Sequence, residues 1–359
     1  MASPQIFITG ATGYVGGSIL AKLLEPSQSG KWDITALVRS EDAVSKLKQM
    51  GVKTIIGSLE NEELLIKTVG EADAVINTAD SDNLAAVQSI IKGLKQSKRT
   101  HKIFLHNSGT AIMADMARGD YPSGKVYSDM KMDEIHAPPL QLPHRNVDDY
   151  IFQNSQGIQS IIICPPTIYG VGTGQFKRLS KKVPGFIKAF LGFLGFGYTA
   201  TIGYGTNIWS HVHIEDLTNF YLLVLEKALI GQASTGKDGF YFCESGEHAW
   251  KDIVVRIAKE LYKHNAIKQA EIGKYTTEEV DKYFGMIGWI GIGSNSCSSA
   301  DKARKLGWKP KNERINVFDS ITQEVEVMLD IKPASTTSCN VWGAIKKVFE
   351  GSGSKQVKA

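Results

Sequence analysis

The stretch IFITGATGYVGGSIL, beginning at Ile6, restricts what this chain can fold into more than any other. A β-branched run leads into Gly10, Gly13 and Gly16, spaced GxxGxxG, and a helical pattern follows at once. Glycines at such a strand-to-helix turn let the backbone approach a pyrophosphate, while the helix N-terminus offers free N–H groups and partial positive charge. Five further apolar runs follow: ITALV (34–38), KTIIG (53–57), AVINTA (74–79), KIFLHNS (102–108) and SIIICPP (160–166). They are continuous rather than alternating, as in strands buried on both faces of a parallel sheet. Helical patterns such as GGSILAKLLE (16–25) and LAAVQSIIKGLKQ (84–96) separate them.

The expected class is therefore α/β, a Rossmann-type doubly wound parallel sheet with a smaller C-terminal substrate lobe. Residues 1–170 are expected to form the dinucleotide-binding domain, with a return of 206–235 to it left open. Residues 171–330 would be mainly the substrate lobe, and 331–359 a basic, partly disordered tail. That tail holds the amphipathic segment VWGAIKKVF (341–349), which is read as packing on its own domain, with docking to a partner or membrane surface as the alternative. Residues 1–330 carry 36 basic and 36 acidic side chains, so the net charge of +4 resides in the tail. Nothing in that balance suggests a nucleic-acid-binding face. Cys164, Cys243, Cys297 and Cys339 are scattered without metal-ligand spacing, which argues against a disulfide framework and against a metal site. The apolar window 183–205 is broken by glycines and carries Lys188, so a substrate-side wall is expected rather than a membrane span. With no leader pattern at the N-terminus, the expected setting is cytoplasmic.

Cofactor choice turns on the end of the second strand. An acidic residue there bonds a ribose 2′-hydroxyl, whereas an arginine pairs with a 2′-phosphate. The chain places Arg39 and Ser40 at that point, which favours NADP(H) over NAD(H).

The motifs TGATGYVG, AVINTA, CPPTIYGVG (164–172), HVHIEDLTNF (211–220) and SSADKARKLGWKP (298–310) together resemble the extended short-chain dehydrogenase/reductase family, also called the NAD-dependent epimerase/dehydratase family. The resemblance spans about residues 5–330. It implies that Gly10, Ala11, Thr12, Gly13, Tyr14, Val15 and Gly16 line the pyrophosphate. Ser58 and Leu59 would lie near the adenine, and Thr78, Ala79 and Asp80 would flank the ribose and nicotinamide. Pro165, Pro166, Thr167 and Ile168 would contact the nicotinamide amide. His211 and His213 are read as packing between lobes.

Hydride transfer to a carbonyl needs a proton donor beside the developing alkoxide, and a tyrosine next to a lysine ammonium can serve. In the family a Ser/Thr after the fifth strand and a Tyr-x-x-x-Lys helix supply these groups. Ser108 and Thr110 are the hydroxyl candidates, and Gly109 stands where a second serine is usual. Tyr127 and Lys131 form the helix-compatible pair. From Lys131 to Cys164 there are 33 residues, against about twenty-two in the family pattern, and Pro138, Pro139 and Pro143 interrupt the interval. Two arrangements stay open: a displaced helix that returns Tyr127 and Lys131 to the nicotinamide, or loss of the pair with His144 or Arg145 marking its place.

The sequence thus points to an NADPH-dependent oxidoreductase that reduces a carbonyl of a small, fairly apolar molecule. A sugar-nucleotide epimerase or dehydratase, or a non-catalytic NADP(H)-binding regulator, is the alternative. A homodimer is left open.

Overall fold

The computed structural model describes residues 3–192, 197–311 and 316–330. The basic tail and its amphipathic segment lie outside the described residues. The first half winds strand and helix alternately: β1 (Gln5–Thr9), α1 (Tyr14–Leu23), β2 (Asp33–Val38), α2 (Glu41–Gln49), β3 (Lys53–Ile56), α3 (Glu62–Gly70), β4 (Ala74–Asn77), α4 (Leu84–Gln96) and β5 (Ile103–Asn107). Next come β6 (Val126–Ser128), α5 (Met132–His136), α6 (Arg145–Asn154), β7 (Gln159–Cys164) and β8 (Thr167–Tyr169). The remainder comprises α7 (Lys182–Phe190), β9 (Ala200–Thr201), β10 (Ile208–His213), α8 (Ile214–Leu229), β11 (Phe240–Phe242), β12 (Gly246–Ala249), α9 (Trp250–Lys263), β13 (Gly273–Lys274), α10 (Thr277–Tyr283), α11 (Gly285–Gly291), β14 (Cys297–Ser299), α12 (Asp301–Lys305) and α13 (Val317–Met328).

Seven strands form one parallel sheet in the order β11-β7-β5-β4-β1-β2-β3. Each of the six apolar runs supplies one of them. The seventh, β11, comes from the three-residue run FYF, too short to announce itself. From β1 the chain winds outward through β2 and β3, then returns to β4 and proceeds the other way. The reversal opens a crevice at the carboxyl ends of β1 and β4, where doubly wound sheets bind ligands. β4 is buried along its whole length and β5 along all but its last residue, as interior strands of a doubly covered sheet must be. Asn61, Asn83 and Asn316 cap α3, α4 and α13 by accepting their first-turn N–H groups.

Helix α8 packs on α1 and joins the sheet core. A second apolar cluster gathers Phe186, Phe190, Trp250, Ile257, Ile321 and Val325 from α7, α9 and α13. Among the described residues no helix is long and apolar enough to cross a membrane. Cys164, Cys243 and Cys297 are free and buried.

The segment around Tyr127 departs from the expected helix. Val126, Tyr127 and Ser128 pair in parallel with Cys297, Ser298 and Ser299 of β14. Lys131 stands at the cap of the short α5, exposed and ion-paired with Glu134 at 3.1 Å. The lysine that approaches the Tyr127 ring is Lys125, just ahead of β6, 4.3 Å from the centroid. Asp129 explains why strand wins over helix here. Its carboxylate accepts the N–H of Phe242 at 3.1 Å and that of Lys302 at 2.8 Å, closing the open edge at β11 and the start of α12 together. Burial raises the Asp129 carboxyl to about 6, against the pull of those two N–H donors. Asp129→Ala would strand both donors, each at a cost of about 1–3 kcal/mol. Chemical denaturation is expected to show a loss of at least about 2 kcal/mol with an unchanged m-value.

Candidate active site

The glycine turn lies at the mouth of the crevice. Gly10 has φ +80°, and a Cβ there would sit 2.7 Å from the backbone N of Ala79. At Gly16 a Cβ would fall on the Gly10 carbonyl and the Thr78 hydroxyl. Only glycine lets α1 come this close to β1 and β4. Gly13 caps α1 in an extended conformation with no side-chain cap, and the first turn holds no acidic residue. The first N–H groups of α1 therefore face the crevice without an intrahelical acceptor. Thr78 donates its hydroxyl to the Thr9 carbonyl at 2.8 Å, fixing the β4 end against β1. Tyr14 donates its hydroxyl to the Gly170 carbonyl at 2.7 Å. The loop after Gly170 lies on α1, with Gly174 against Gly17 and Gly172 against Ser18.

The ends of β2 and β3 are open. Arg39 and Ser40 are exposed. Glu60 is held below the ordinary carboxylate range by Ser58, its own backbone N–H and the nearby Arg39 charge. Leu59 packs half-buried on the sheet core. Ala79 and Asp80 are exposed beyond β4, and Asp80 accepts the Asp82 N–H at 2.9 Å. On the other side, Pro165 and Thr167 are buried and Ile168 half-buried. Val15 and Thr12 are half-buried at the turn, and Ala11 is buried beneath it.

Beyond β5 and β7 the backbone ladder continues: the Ser108 N–H donates to the Ile163 carbonyl at 2.8 Å and the Thr110 N–H to the Pro165 carbonyl at 3.1 Å. The Ser108 hydroxyl donates inward, to Asp148 of α6 at 2.6 Å. Its single proton is thereby committed away from the crevice. Among the described residues the buried Thr110 hydroxyl has no hydrogen-bond partner. Between them Gly109 leaves room for the His144 imidazole: a Cβ at Gly109 would be 3.1 Å from Nε2. His144 has φ +68°, a backbone region costly for a non-glycine residue. Asp82 holds it there, one carboxylate oxygen accepting both the backbone N–H and the ring Nδ1–H at 2.8 Å. The Asp82 carboxyl is lowered chiefly by that ring hydrogen bond. Asp82 thus fixes the imidazole with Nε2 toward Gly109.

Arg145, the other residue flagged near the vacated lysine position, turns inward. Its guanidinium donates to the carbonyls of Pro138 and His136 and so pins the proline-broken loop. The Tyr127–Lys131 couple is not assembled, because Tyr127 is on a strand and Lys131 pairs with Glu134. His211 stacks on His248 and His213 caps α8.

A buried polar chain underlies the site. Thr9 donates to Asn77 at 2.6 Å, and Asn77 bonds the His106 ring at 3.1 Å. His106 Nε2 faces Asp148 at 3.9 Å, and Asp148 accepts from Ser108. Burial pushes the Asp148 carboxyl up to about 7 and the His106 imidazole down to about 3. Below neutral pH the two therefore meet as uncharged groups rather than as an ion pair. Because the folded carboxyl titrates above its unfolded value, its stabilising contribution is complete under acid conditions and is lost as pH rises through about 7. Asp148→Asn keeps an acceptor for Ser108. Its Tm relative to the parent protein is expected to rise from about pH 5 to about pH 8; an offset that stays constant would contradict the assignment.

Comparison with known proteins places this geometry. Residues 2–133 match the NmrA-like family. Over 347 residues the chain is 26% identical to the oxidase ucsJ of an Acremonium species, covering 90% of this chain and 96% of that one. It is 24% identical over 191 residues to a 4-hydroxy-2-methyl-3-oxo-4-farnesyl-3,4-dihydroquinoline-1-oxide ketoreductase of Stigmatella aurantiaca, covering 48% and 52% of the two chains. In structure it is similar to UDP-glucose 4-epimerase of Thermotoga maritima, with a TM-score of 0.61 at 15% identity over 90% of this chain and 97% of that one. The chain shares the Rossmann-type α/β fold of that epimerase. The glycine turn lies between β1 and α1, and the double proline follows β7. A histidine lies where the loop after β5 meets α6, and its sequence signals are Gly109 and the proline-broken loop ahead of His144.

Proposed function

We propose that the chain is an NAD(P)-dependent reductase, with NADP(H) preferred, acting on the carbonyl of a small, fairly apolar molecule. The observation that carries the reading is the His144 imidazole, held by Asp82 and laid on Gly109 at the ends of β5 and β7. The glycine turn supports it, since side chains at Gly10 and Gly16 would strike the β4 end and the turn itself and push the α1 N-terminus off the strand ends. The relatives named as an oxidase and a ketoreductase support redox chemistry.

In this reading Gly10, Ala11, Thr12, Gly13, Tyr14, Val15 and Gly16 hold the pyrophosphate. Ser58, Leu59, Thr78, Ala79 and Asp80 lie along the adenosine and ribose, and Pro165, Thr167 and Ile168 along the nicotinamide. Arg39, with Ser40 beside it, pairs with the 2′-phosphate. Bound NADPH supplies the hydride. The His144 ring, held by the Asp82 carboxylate, donates a proton from Nε2 to the carbonyl oxygen. Ser108 acts through position, its hydroxyl anchored on Asp148, and Thr110 closes the wall by accepting the Ser296 hydroxyl on its carbonyl at 2.7 Å.

The test is NADPH consumption across a panel of aldehydes, ketones and quinones. His144→Gln is expected to lower kcat by about 10²–10⁴-fold while NADPH still binds. Tyr127→Phe is expected to leave kcat unchanged; a loss matching that of His144→Gln would return the donor role to the tyrosine. Arg39→Ala is expected to weaken NADPH by about tenfold and leave NADH unaffected, as for loss of one charge-assisted pair. Tight NADPH binding with no turnover on any carbonyl would instead favour the non-catalytic regulator.

A further inference from the structure

Glu324, on α13, is a fully buried acid that the proposed reaction does not use. Both of its oxygens are taken by one loop, residues 170–180. The Gly170 N–H donates to Oε1 at 3.1 Å and the Ser180 hydroxyl to Oε2 at 2.8 Å. The carboxylate thereby fastens the two ends of the loop together. Farther in, the loop closes on itself: the Gly172 N–H donates to the Arg178 carbonyl at 2.7 Å, and Arg178 Nε–H donates back to the Gly172 carbonyl at 2.8 Å. Burial raises the Glu324 carboxyl to about 7, against the pull of Ser180, Gly170 and Ser320. An apolar side chain would fill this place in α13 without that cost. What the acid adds is its hold on the loop.

That loop is laid across the helix that follows the glycine turn. Gly170 has φ +99°. While its N–H is held by Glu324, its carbonyl accepts the Tyr14 hydroxyl at 2.7 Å. One residue thus joins α13 to the first residue of α1. A Cβ at Gly174 would lie 2.8 Å from the Gly17 carbonyl carbon, and one at Gly172 would lie 2.7 Å from the Ser18 hydroxyl. Gly16 faces the sheet and Gly17 faces the loop, so α1 is gripped on two sides by approaches that side chains at Gly16 and Gly174 would prevent. Phe176 packs on the sheet core, with Lys46 Nζ of α2 5.6 Å from its ring centroid, whereas Leu179 packs on the second apolar cluster. The loop is a strap with its tip on one lobe and its fastening in the other.

We propose that Glu324 is a positioning residue for the dinucleotide: it fastens the 170–180 strap, and through Gly170 and Tyr14 the strap holds the N-terminus of α1 at the depth a pyrophosphate needs. The proposal rests on the reading of the glycine turn as the dinucleotide site. Strap and cofactor then favour each other equally, because coupling between two sites is reciprocal. In the full chain, bound NADPH is expected to slow tryptic cleavage after the exposed Lys177 about tenfold, read by peptide mass mapping. Glu324→Ala is expected to weaken NADPH about tenfold, measured by nucleotide fluorescence, and to remove that protection. Glu324→Gln, whose amide can accept from Gly170 and donate to Ser180, is expected to restore both. Tyr14→Phe breaks the same link from its other end and decides the matter should Glu324→Ala fail to fold. Its loss of NADPH affinity is expected to match that of Glu324→Ala, and the double variant is expected to bind no more weakly than either. Cleavage that ignores NADPH, unchanged NADPH affinity in either single variant whatever its loss of Tm, or additive losses in the double variant would overturn the proposal. A failed reductase reading would look different: NADPH binding and its dependence on Glu324 would persist while no carbonyl consumed it.

Discussion

Everything at the crevice depends on how closely α1 can approach the ends of β1 and β4. At Gly16 the helix backbone lies on the Gly10 carbonyl and the Thr78 hydroxyl, and at Gly10 the turn lies on the Ala79 N–H. These are backbone approaches that no side chain tolerates. They fix where the helix N-terminus points and hold the β4 end, with Thr78 bonded to the Thr9 carbonyl, at the same depth. From β4 the chain passes to Asp82, and from Asp82 a carboxylate reaches across to His144. The glycine turn and the proposed proton donor are thus joined through one short strand end.

The same interaction logic explains how a segment that looks catalytic becomes structural. KVYSDMK has a tyrosine and a lysine, Tyr127 and Lys131, at helical spacing, but Asp129 within it satisfies two backbone donors at the sheet edge and at α12. Pairing with β14 adds a strand ladder to that gain. Against these long-range bonds, helix propensity over a few residues is a weak force. The loop that follows is then free to be long and proline-rich. Arg145 pins it from within, and its far end delivers His144 to the site in a backbone conformation that Asp82 sustains.

Beneath the site, the Thr9–Asn77–His106–Asp148–Ser108 chain crosses from the glycine turn to the end of β5 inside the protein. Its members were not legible as a group, because they are drawn from β1, β4, β5, α6 and the loop after β5, and each looks ordinary in its own stretch. Glu324 was hidden for a similar reason. In sequence it is one acid in a helical stretch, and only packing sets it on Gly170 and Ser180.

The sequence by itself determined the sheet, because continuous β-branched runs and a strand–glycine–helix turn carry local signals: chain stiffness, burial on both faces, and a backbone conformation that needs glycine. Six of the seven parallel strands and the glycine turn between β1 and α1 followed from those signals. The tertiary structure alone decided β11, the strand state of Tyr127, the meeting of Asp82 with His144 and that of Glu324 with the 170–180 loop. Each of these depends on partners tens of residues or more away, whose geometry is set by packing, and no local pattern encodes such a distance.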